Sequence, residues 1–466
     1  MAKLFGTSGI RGYTEYTGKD DYVTLSDEFC SIITKVFIKH INKDGEKKDL
    51  KIAVGMDFRN SSPRIQKIIL NAIEENNGIP VNCGVTPTPA LTYFVKHSDC
   101  VGGIMITGSH IKESMNGLKF INDREEISKE EEKSIEEIYS KEITSQKENN
   151  NNFKKTDVCN QLYIDFLKSK TKNYQNLKII LDVRNSCHAN TFPEILSATG
   201  AEVIQLKKIL QEFKALDTDS TENENPEMKQ AILSSKADIG VTFDSDGDRL
   251  SVYDENGNVV QGDLVAAILA DILPIKKIVV PINVTSLIDT IGKTVIRSKV
   301  GSPFVVQAMK ENSADFGFEA NGGCIFAEVM LTRDGGYPAV CLLNVLAEKK
   351  QKSPTITISK ICLAYPQFHV FRTKFDCPTT HNEYILKNIR EKYLSENKHI
   401  NDTDGLKVYF DDTTWILFRP SSNSPEFRIF VESLYKETTT TLAEDALKLA
   451  RGIMNEAEKL HKKLYK

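Results

Sequence analysis

Three aspartates occupy alternate positions in residues 241–250, which read VTFDSDGDRL: Asp244, Asp246 and Asp248. Side chains on an extended backbone alternate between faces, so this spacing lets the three carboxylates converge on one point. The apolar run ADIGVTF before them predicts a buried strand that ends at the acids. Carboxylates this close repel one another unless a hard divalent cation lies between them. A solvated acidic turn is the plainer interpretation of the same spacing.

The neighbouring residues indicate what kind of loop this is. Gly247 allows a tight turn, and Arg249 adds a cation that suits a phosphate group. A calcium-binding EF-hand loop fits less well, although Glu255 falls at its twelfth position. The sixth position of that loop requires glycine, and here it is Arg249.

A second stretch, residues 103–120, places a hydroxyl group at the end of another apolar run. Ser109 has small neighbours, and a serine at a strand end can be exposed as a nucleophile. His110 beside it and Lys119 downstream can assist proton transfer. The alternative is a helix N-cap serine next to a surface histidine.

Two further loops are rich in hydrogen-bond donors. Residues 5–12, FGTSGIRG, contain three glycines, two hydroxyl groups and Arg11, which suits an oxyanion or phosphate; an N-terminal coil is the alternative. In residues 419–432, Arg419 and Arg428 flank hydroxyl and amide side chains. Such a set can bind a phosphate dianion, and an ordinary polar turn is the alternative. A metal loop, a hydroxyl nucleophile, a donor-rich loop and a phosphate clamp together indicate phosphoryl transfer on a phosphorylated substrate.

Three similar segments indicate the elements that position these loops. Residues 51–57, 178–184 and 277–283 are each a short apolar run followed by polar residues that can cap a helix. Strand, turn and helix form half of a βαβ unit, which predicts three similar α/β domains with mixed, mostly parallel sheets. The last hundred residues carry several short strands and an amphipathic helix from about Thr440, which predicts a C-terminal α+β domain.

Shifts in composition set the predicted domain boundaries. The charge-rich residues 123–152 begin with helical spacing, interpreted as a solvated helix face rather than a partner site, and their end is interpreted as a linker. Residues 251–262 predict a hairpin with an Asn-Gly turn, which marks a second boundary. Residues 346–355 mark a third boundary. The predicted domains are a catalytic serine domain (1–152), a metal-binding domain (153–254), a sugar-binding domain (255–355) and a phosphate-binding domain (356–466).

Composition limits the class of protein. The chain has 466 residues, of which 40% are hydrophobic, enough for several cores. Its net charge of -4 does not indicate a nucleic-acid partner. Its nine cysteines are scattered without metal-ligand spacing, which predicts free thiols in a reducing compartment. Neither a signal peptide nor the ~18 apolar residues of a membrane span is evident. We therefore expect a cytoplasmic protein without a membrane partner.

The order of the motifs resembles the α-D-phosphohexomutase family, which includes phosphoglucomutase, phosphomannomutase and phosphoglucosamine mutase. The motifs are FGTSGIRG, a Thr-x-Ser-His loop with NG-x-K downstream, DSDGDR, an E-x-N-G-G loop and RPSxxxP. GMDFRNSSP at residues 55–63 and GVTPTPAL at residues 84–91 also resemble parts of the family's first domain. The Gly-Gly end of the E-x-N-G-G loop is similar to that of archaeal members.

The resemblance implies four domains around one deep cleft and a phosphoserine enzyme. Phosphorylated Ser109 would give its phosphoryl group to a hexose phosphate, and the resulting hexose bisphosphate would reorient and return a group from its other end. The same bisphosphate would serve as activator, and the chain would be a monomer or a homodimer. One Mg²⁺ per chain would lie between Ser109 and the three aspartates.

The remaining implied site residues fall into three sets. Arg11, His110 and Lys119 would assist catalysis beside the serine. Contacts to the sugar would come from Arg249, Lys299, Gly301, Glu319 and Asn321. The phosphate that does not react would be bound by Arg419, Ser421, Asn423 and Arg428.

The chain departs from the family pattern at three loops. Ile111 and Lys112 replace the usual Asn-Pro after the serine loop, and Ser422, Asn423 and Ser424 replace the usual Gly-Thr-Glu of the phosphate loop. Gly323 occupies the position of a histidine that many members use as acid or base. Proton transfer would then fall to Lys119, His110 or water.

The sequence leaves alternatives for both the substrate and the activity. Residues 319–321, Glu-Ala-Asn, differ from the sugar loops of many family members, and we favour glucosamine or mannose phosphate over glucose phosphate. The altered loops also allow a catalytically silent sugar-phosphate-binding homologue. A metal-dependent sugar phosphatase is the third interpretation.

Overall fold

Four β-sheets follow one another along the chain, and helices cover them. The computed structural model describes residues 4–18, 22–43, 45, 49–141, 151–206, 225–421 and 425–464. Three α/β units and a fourth, β-rich unit confirm the predicted fold class. The domain boundaries given above stay predictions.

The first unit contains a seven-stranded mixed sheet. Its elements are β1 (Ile10–Tyr13), β2 (Val23–Thr24), α1 (Asp27–Ile41), β3 (Leu50–Met56), α2 (Ser62–Glu75), β4 (Gly78–Val85), α3 (Thr88–His97), β5 (Gly102–Ile106), β6 (Met115–Asn122), β7 (Glu125–Glu126) and α4 (Lys129–Tyr139). The strand order is β2-β1-β6-β5-β3-β4, and β7 pairs with β6. Strand β5 is buried along its whole length, as expected for a strand whose sheet is covered on both faces.

The second unit contains a five-stranded sheet in the order β12-β11-β10-β8-β9. Its elements are α5 (Val158–Lys170), β8 (Lys178–Asp182), α6 (Phe192–Ser197), β9 (Glu202–Gln205), α7 (Pro226–Ser235), β10 (Ile239–Phe243), β11 (Leu250–Tyr253) and β12 (Val259–Val260). The predicted buried strand before the aspartates is β10, all five residues of which are buried. The predicted Asn-Gly hairpin is formed by β11 and β12.

The third unit has a five-stranded sheet in the order β14-β13-β15-β16-β17. Its elements are α8 (Gly262–Ile272), β13 (Lys277–Pro281), β14 (Thr294–Ser298), α9 (Ser302–Asn312), β15 (Phe316–Phe318), β16 (Cys324–Phe326), β17 (Met330–Asp334), α10 (Gly336–Lys352) and α11 (Ile358–Cys362). Residues 346–352, which the sequence suggests as part of a boundary, lie inside α10, because their lysines form its solvated last turns. Buried apolar side chains of the second and third units form one continuous core.

The fourth unit is an antiparallel sheet in the order β18-β22-β21-β20-β19, packed against two helices. Its elements are β18 (His369–Asp376), α12 (Asn382–Ser395), β19 (His399–Asn401), β20 (Leu406–Tyr409), β21 (Trp415–Pro420), β22 (Glu426–Ser433) and α13 (Lys436–Leu464). Helix α13 begins at Lys436, before the predicted start at Thr440. The hydroxyl groups of Thr439 and Thr440 each donate to a carbonyl one turn earlier, which accommodates the threonine run in the helix.

All nine cysteines are buried, free thiols. They are distributed over the four units, as expected for small core residues. In the described part of the chain, none of the helices is long and apolar enough to cross a membrane.

Candidate active site

Two strand ends from different units meet in the folded chain. Ser109 follows β5 of the first sheet, and Asp244 follows β10 of the second. The Ser109 Oγ donates a hydrogen bond of 3.0 Å to Asp244 Oδ2. Ser245 Oγ donates to the Ser109 carbonyl at 2.6 Å, so the two loops are joined twice. The serine and metal loops suggested by the sequence are therefore in direct contact.

Ser109 is held in an unusual backbone conformation. Its φ is +48°, in the left-handed region that residues with a Cβ seldom adopt. The Ser109 N–H donates to Thr107 Oγ1 at 2.8 Å, and the Gly108 N–H donates to Asp57 Oδ2 at 3.3 Å. Backbone strain of this kind persists where surrounding contacts fix it, and it concentrates at functional sites.

Arg59 supplies most of those contacts. Its guanidinium, which is fully buried, donates to four carbonyls of the serine loop, those of Ser109, Ile111, Lys112 and Met115. Its charge is balanced by Asp57, whose carboxylate lies 3.2 Å from Arg59 Nε. The two residues lie within GMDFRNSSP, a stretch that resembles the family's first domain. The sequence does not indicate that Arg59 holds the serine loop or that Asp57 balances the charge of Arg59.

The three aspartates form a buried cluster that fits a divalent cation. One oxygen from each of Asp244, Asp246 and Asp248 can be chosen so that all lie within 4.8 Å of one another. Oδ1 of Asp246 and Oδ1 of Asp248 are buried without a hydrogen-bond partner. Because a buried carboxylate oxygen is rarely left unsatisfied, these atoms are suitable ligands for a hard cation such as Mg²⁺.

The other oxygens of this cluster are bound by neighbours. Lys119 Nζ donates to Asp246 Oδ2 at 2.6 Å and to Asp248 Oδ2 at 2.7 Å. Thr88, in the GVTPTPAL stretch, donates its hydroxyl to the same Asp246 oxygen at 2.6 Å. Arg249 Nε lies 3.8 Å from Asp244 Oδ2 and 3.7 Å from Asp248 Oδ1. Asp246 Oδ1 and Asp248 Oδ1 thus remain without a hydrogen bond, while their partner oxygens are bound.

Burial and crowding of charge set the protonation of these groups. Burial, together with the other two aspartates, raises the pKa of Asp244 well above its usual value. Burial opposes ionisation of Asp248 too, but Arg333, Lys119 and Arg249 outweigh it and lower its pKa. Burial also acts against charged Lys119, but the carboxylates of Asp246 and Asp248 raise its pKa. Lys119 is therefore held as a cation.

Cations surround the serine as well. His110 Nδ1 lies 3.3 Å from Ser109 Oγ, and burial, with Arg249 and Arg11 nearby, lowers the pKa of His110 to about 2. Burial and the same arginine, Arg249, lower the pKa of Arg11 to about 10. A neutral imidazole beside the hydroxyl and several cations within reach form a setting that favours a dianionic phosphoryl group.

The predicted sugar loop contacts the metal loop through a residue that the sequence did not single out. Arg333, at the end of β17, donates to Glu319 Oε2 at 2.9 Å and to Asp248 Oδ2 at 2.6 Å. Asn321 Oδ1 accepts from the Gly323 N–H within its own loop, at 3.2 Å. No motif marks Arg333, because its partners are distant in sequence.

Lys299 and Gly301 lie on a loop of the third unit that meets the first and fourth units. Lys299 Nζ lies 6.0 Å from the centroid of the Phe304 ring. Gly301 has a φ of +127°, and a Cβ there would lie 2.5 Å from Thr7 Cγ2 in the FGTSGIRG loop. Between them, Val300 donates its N–H to Asp404 Oδ2 of the fourth unit at 2.9 Å.

The predicted phosphate clamp lies on two neighbouring strands. Arg419 of β21 is directly opposite Arg428 of β22, and Ser421 follows Pro420 at the end of β21. Arg419 Nε donates to Asp404 Oδ2 at 2.7 Å, the same oxygen that accepts from Val300. Asp404, which sequence reasoning missed, thus connects the clamp with the loop that carries Lys299 and Gly301. Asn423 lies outside the described residues.

Family models and relatives agree with this architecture. Three models match in chain order: Phosphoglucomutase/phosphomannomutase, alpha/beta/alpha domain I at residues 2–146, domain II at 161–257 and domain III at 261–362. A phosphoglucomutase/phosphomannomutase of Thermococcus kodakarensis is 28% identical, with 96% of this chain and 98% of the relative covered. A phosphoglucosamine/phosphogalactosamine mutase of Sulfurisphaera tokodaii is 29% identical, with 97% and 100% covered.

The fold is also similar to a solved structure, a phosphoglucomutase/phosphomannomutase family protein from Burkholderia thailandensis. The TM-score is 0.80 at 20% identity, with 97% of this chain and 98% of that chain covered. The three domain models and the named mutases define the class of the chain as an enzyme that transfers phosphoryl groups. The chain belongs to the phosphoglucomutase/phosphomannomutase family, the α-D-phosphohexomutases, and is an enzyme of the isomerase class.

Proposed function

We propose that the enzyme interconverts hexose 1-phosphate and hexose 6-phosphate through phosphorylated Ser109 and a hexose bisphosphate. The serine gives its phosphoryl group to the free hydroxyl of the substrate, and the bisphosphate reorients in the cleft. Ser109 Oγ then takes back the phosphoryl group at the other end. Each transfer breaks one P–O bond and forms one, so the phosphoryl count on the enzyme is restored after each turnover.

The proposal rests above all on the contact between Ser109 Oγ and Asp244 Oδ2, 3.0 Å. One Mg²⁺ held by Ser109, Asp244, Asp246 and Asp248 would supply charge neutralisation to the phosphoryl oxygens. We assign charge neutralisation also to Lys119 and Arg11, because Lys119 is held as a cation by two carboxylates.

Proton transfer at the substrate hydroxyl needs a group that can change its charge. Lys119 is unsuited to proton uptake while both carboxylates hold its ammonium form. The imidazole of His110 is neutral, and its Nδ1 lies 3.3 Å from the serine oxygen. Burial and the neighbouring arginines lower the pKa of His110, and the negative charge of a phosphoryl group on Ser109 would raise it, so we assign the proton to His110 or to a water molecule beside it.

Substrate orientation falls to residues of the second, third and fourth units. We assign the sugar hydroxyls to Glu319, with Arg249, Lys299, Gly301 and Asn321 around it. The phosphate that does not react is bound by Arg419, Ser421, Asn423 and Arg428. Glucosamine and mannose phosphates are the proposed substrates, and a hexose 1,6-bisphosphate is the proposed activator.

Intact-mass measurement and a coupled assay test this function. The purified enzyme, incubated with glucose 1,6-bisphosphate, is expected to gain the mass of one phosphoryl group, mapped to Ser109. Mutase activity is then measured over glucosamine, N-acetylglucosamine, mannose and glucose phosphates. No phosphoryl adduct and no turnover would indicate a silent sugar-phosphate-binding protein, whereas free phosphate without isomerised sugar would indicate a phosphatase.

A further inference from the structure

Arg333 connects two loops that the proposed reaction assigns to different tasks. Its guanidinium donates to Glu319 Oε2 at 2.9 Å and to Asp248 Oδ2 at 2.6 Å. Arg333 is 6% exposed, and its two partners are also buried. A guanidinium keeps its charge at any working pH and has a fixed, forked geometry. It can therefore orient two carboxylates at once but cannot act as a proton donor.

The stem of Arg333 passes over Gly323 at the end of the sugar loop. A Cβ at Gly323 would lie 2.6 Å from Arg333 Cδ and 3.2 Å from Arg333 Cγ. The first distance is shorter than any ordinary carbon contact, so a side chain at 323 and this path of the arginine exclude each other. The loop itself is closed by the Glu319 N–H, which donates to the Gly323 carbonyl at 3.0 Å.

The surrounding backbone places the arginine between the two loops. Leu250, just after the metal loop, donates its N–H to the Gly322 carbonyl at 3.2 Å, and Gly335 donates its N–H to the Gly247 carbonyl at 3.1 Å. A Cβ at Gly335 would lie 2.7 Å from the Arg249 carbonyl oxygen. The end of β17 is thus seated on the metal loop, and Arg333 extends from that strand toward Glu319.

Resting on the proposed function, we propose that Arg333 is a positioning residue that fixes Glu319 for the sugar and Asp248 for the metal loop in one arrangement. Gly323 is glycine in this chain because the Arg333 side chain occupies the space of a Cβ. Loss of the guanidinium frees Glu319 to rotate and leaves two buried carboxylates without their shared partner. The main consequence is weaker binding of the hexose phosphate, since Glu319 orients the sugar and not the reacting group.

The first experiment compares Arg333→Ala and Arg333→Lys with the matched control Arg184→Ala. Arg184 is also largely buried and also pairs with two carboxylates, Asp182 and Glu227. Arg333→Ala is expected to raise KM for glucosamine 6-phosphate and mannose 6-phosphate about tenfold or more, with a smaller loss in kcat. Lysine, with one point charge, is expected to restore part of the loss.

Two further readouts separate positioning from a purely structural role. Guanidinium chloride at millimolar concentration is expected to lower KM of Arg333→Ala and to leave Arg184→Ala unchanged. Calorimetric binding of glucosamine 6-phosphate in EDTA is expected to weaken by a similar factor in Arg333→Ala, which does not depend on turnover or metal. A KM within about twofold of wild type in a folded Arg333→Ala overturns the proposal.

The second experiment tests Gly323 by a double-mutant cycle. Gly323→Ala is expected to raise KM in the native background, because it displaces the arginine stem. The same change in the Arg333→Ala background is expected to alter KM less than about twofold, since the colliding atoms are gone. Gly452→Ala is the control, because a Cβ at that helical glycine would meet nothing within 4 Å. Additive effects overturn the assigned role of Gly323.

These outcomes are distinct from failure of the proposed function. An inactive wild-type enzyme with no phosphoryl adduct would refute the mutase assignment. The binding measurement in EDTA would then still decide whether Arg333 positions the sugar loop. Weakened binding in Arg333→Ala would uphold the positioning role, and unchanged binding would refute it.

Discussion

Ser109 donates a hydrogen bond of 3.0 Å to Asp244, which lies 135 residues further along the chain and in a different sheet. Neither the first nor the second unit contains the proposed reaction centre by itself. Each contributes the loop at the end of one buried strand, and a second bond, from Ser245 to the Ser109 carbonyl, fixes the two loops together. The proposed reaction therefore requires these units in this relative placement.

Replacing Ser109 by alanine is expected to abolish mutase turnover and leave the fold intact. The change removes one hydroxyl group, and with it the proposed phosphoryl carrier. Turnover and intact mass after incubation with glucose 1,6-bisphosphate are the measurements. Ser197→Ala, whose hydroxyl bonds only to a helix carbonyl nearby, is the control and is expected to retain both. Turnover comparable to wild type in Ser109→Ala would rule out this nucleophile.

Asp246→Asn is expected to raise the Mg²⁺ concentration for half-maximal activity more than about tenfold, as altered metal sites commonly do. The carboxylate has one oxygen bound by Lys119 and Thr88 and one left without a hydrogen bond. Calorimetric titration with Mg²⁺ supplies a readout besides activity. Asp289→Asn, whose carboxylate pairs with Arg297 elsewhere, is the control. An unchanged metal dependence would argue against the aspartate cluster as the metal site.

Arg59→Met is expected to lower the free energy of unfolding by about 3 kcal/mol or more, because it leaves the buried Asp57 carboxylate without its partner. It also frees four carbonyls of the serine loop, so activity falls with stability. Urea unfolding measures the first effect. Arg390→Met, which breaks only an exposed pair with Asp402, is expected to cost less than about 1 kcal/mol. Equal losses in the two variants would contradict the role of Arg59.

Arg419→Ala is expected to weaken binding of the hexose phosphate by about 2 kcal/mol, which is about thirtyfold in KM. The guanidinium offers charge-assisted bonds to a phosphate while Asp404 holds its Nε. Steady-state kinetics over a range of substrate concentrations measure the change. Arg390→Met is the control. If Arg419→Ala and Arg390→Met have equal KM values, Arg419 does not bind the phosphate.

The buried His188 is expected to make stability fall as the pH is lowered. Burial lowers its pKa from 6.5 to about 4, although the Gly247 carbonyl opposes this shift. Between these values the unfolded chain binds the proton and the folded chain does not, so acid favours unfolding. The loss amounts to about 3 kcal/mol between pH 7 and pH 4. Urea unfolding at several pH values gives the free energy of unfolding as a function of pH. Its decrease toward acid should be smaller for His188→Gln than for the wild type, and equal decreases would contradict the prediction.

Sequence reasoning located the parts of the site that are local in the chain. The spacing of Asp244, Asp246 and Asp248, and Ser109 at a strand end, depend only on backbone geometry over a few residues. The first three sheets also follow from short apolar runs and their polar caps, and the fourth from the short strands of the last hundred residues. The last helix begins at Lys436, before the predicted start at Thr440, because a run of threonines has low helix propensity and the sequence does not show the bonds from their hydroxyl groups to the backbone.

The residues that sequence reasoning missed act over long distances. Arg333 and Asp404 owe their roles to partners in other loops, and nothing in their immediate neighbours marks them. Arg59 and Thr88 lie inside stretches that the sequence marks only by their resemblance to the family. Their contacts depend on how whole sheets pack together, which periodicity and spacing do not specify.

The nine buried thiols can report local unfolding of the chain. Each cysteine is buried in the folded molecule, and every unit contains at least one. A pulse of alkylating reagent therefore marks only those regions that have transiently lost their packing. Mass mapping of the labelled positions shows in which order the four units come apart, with no probe engineered into the enzyme.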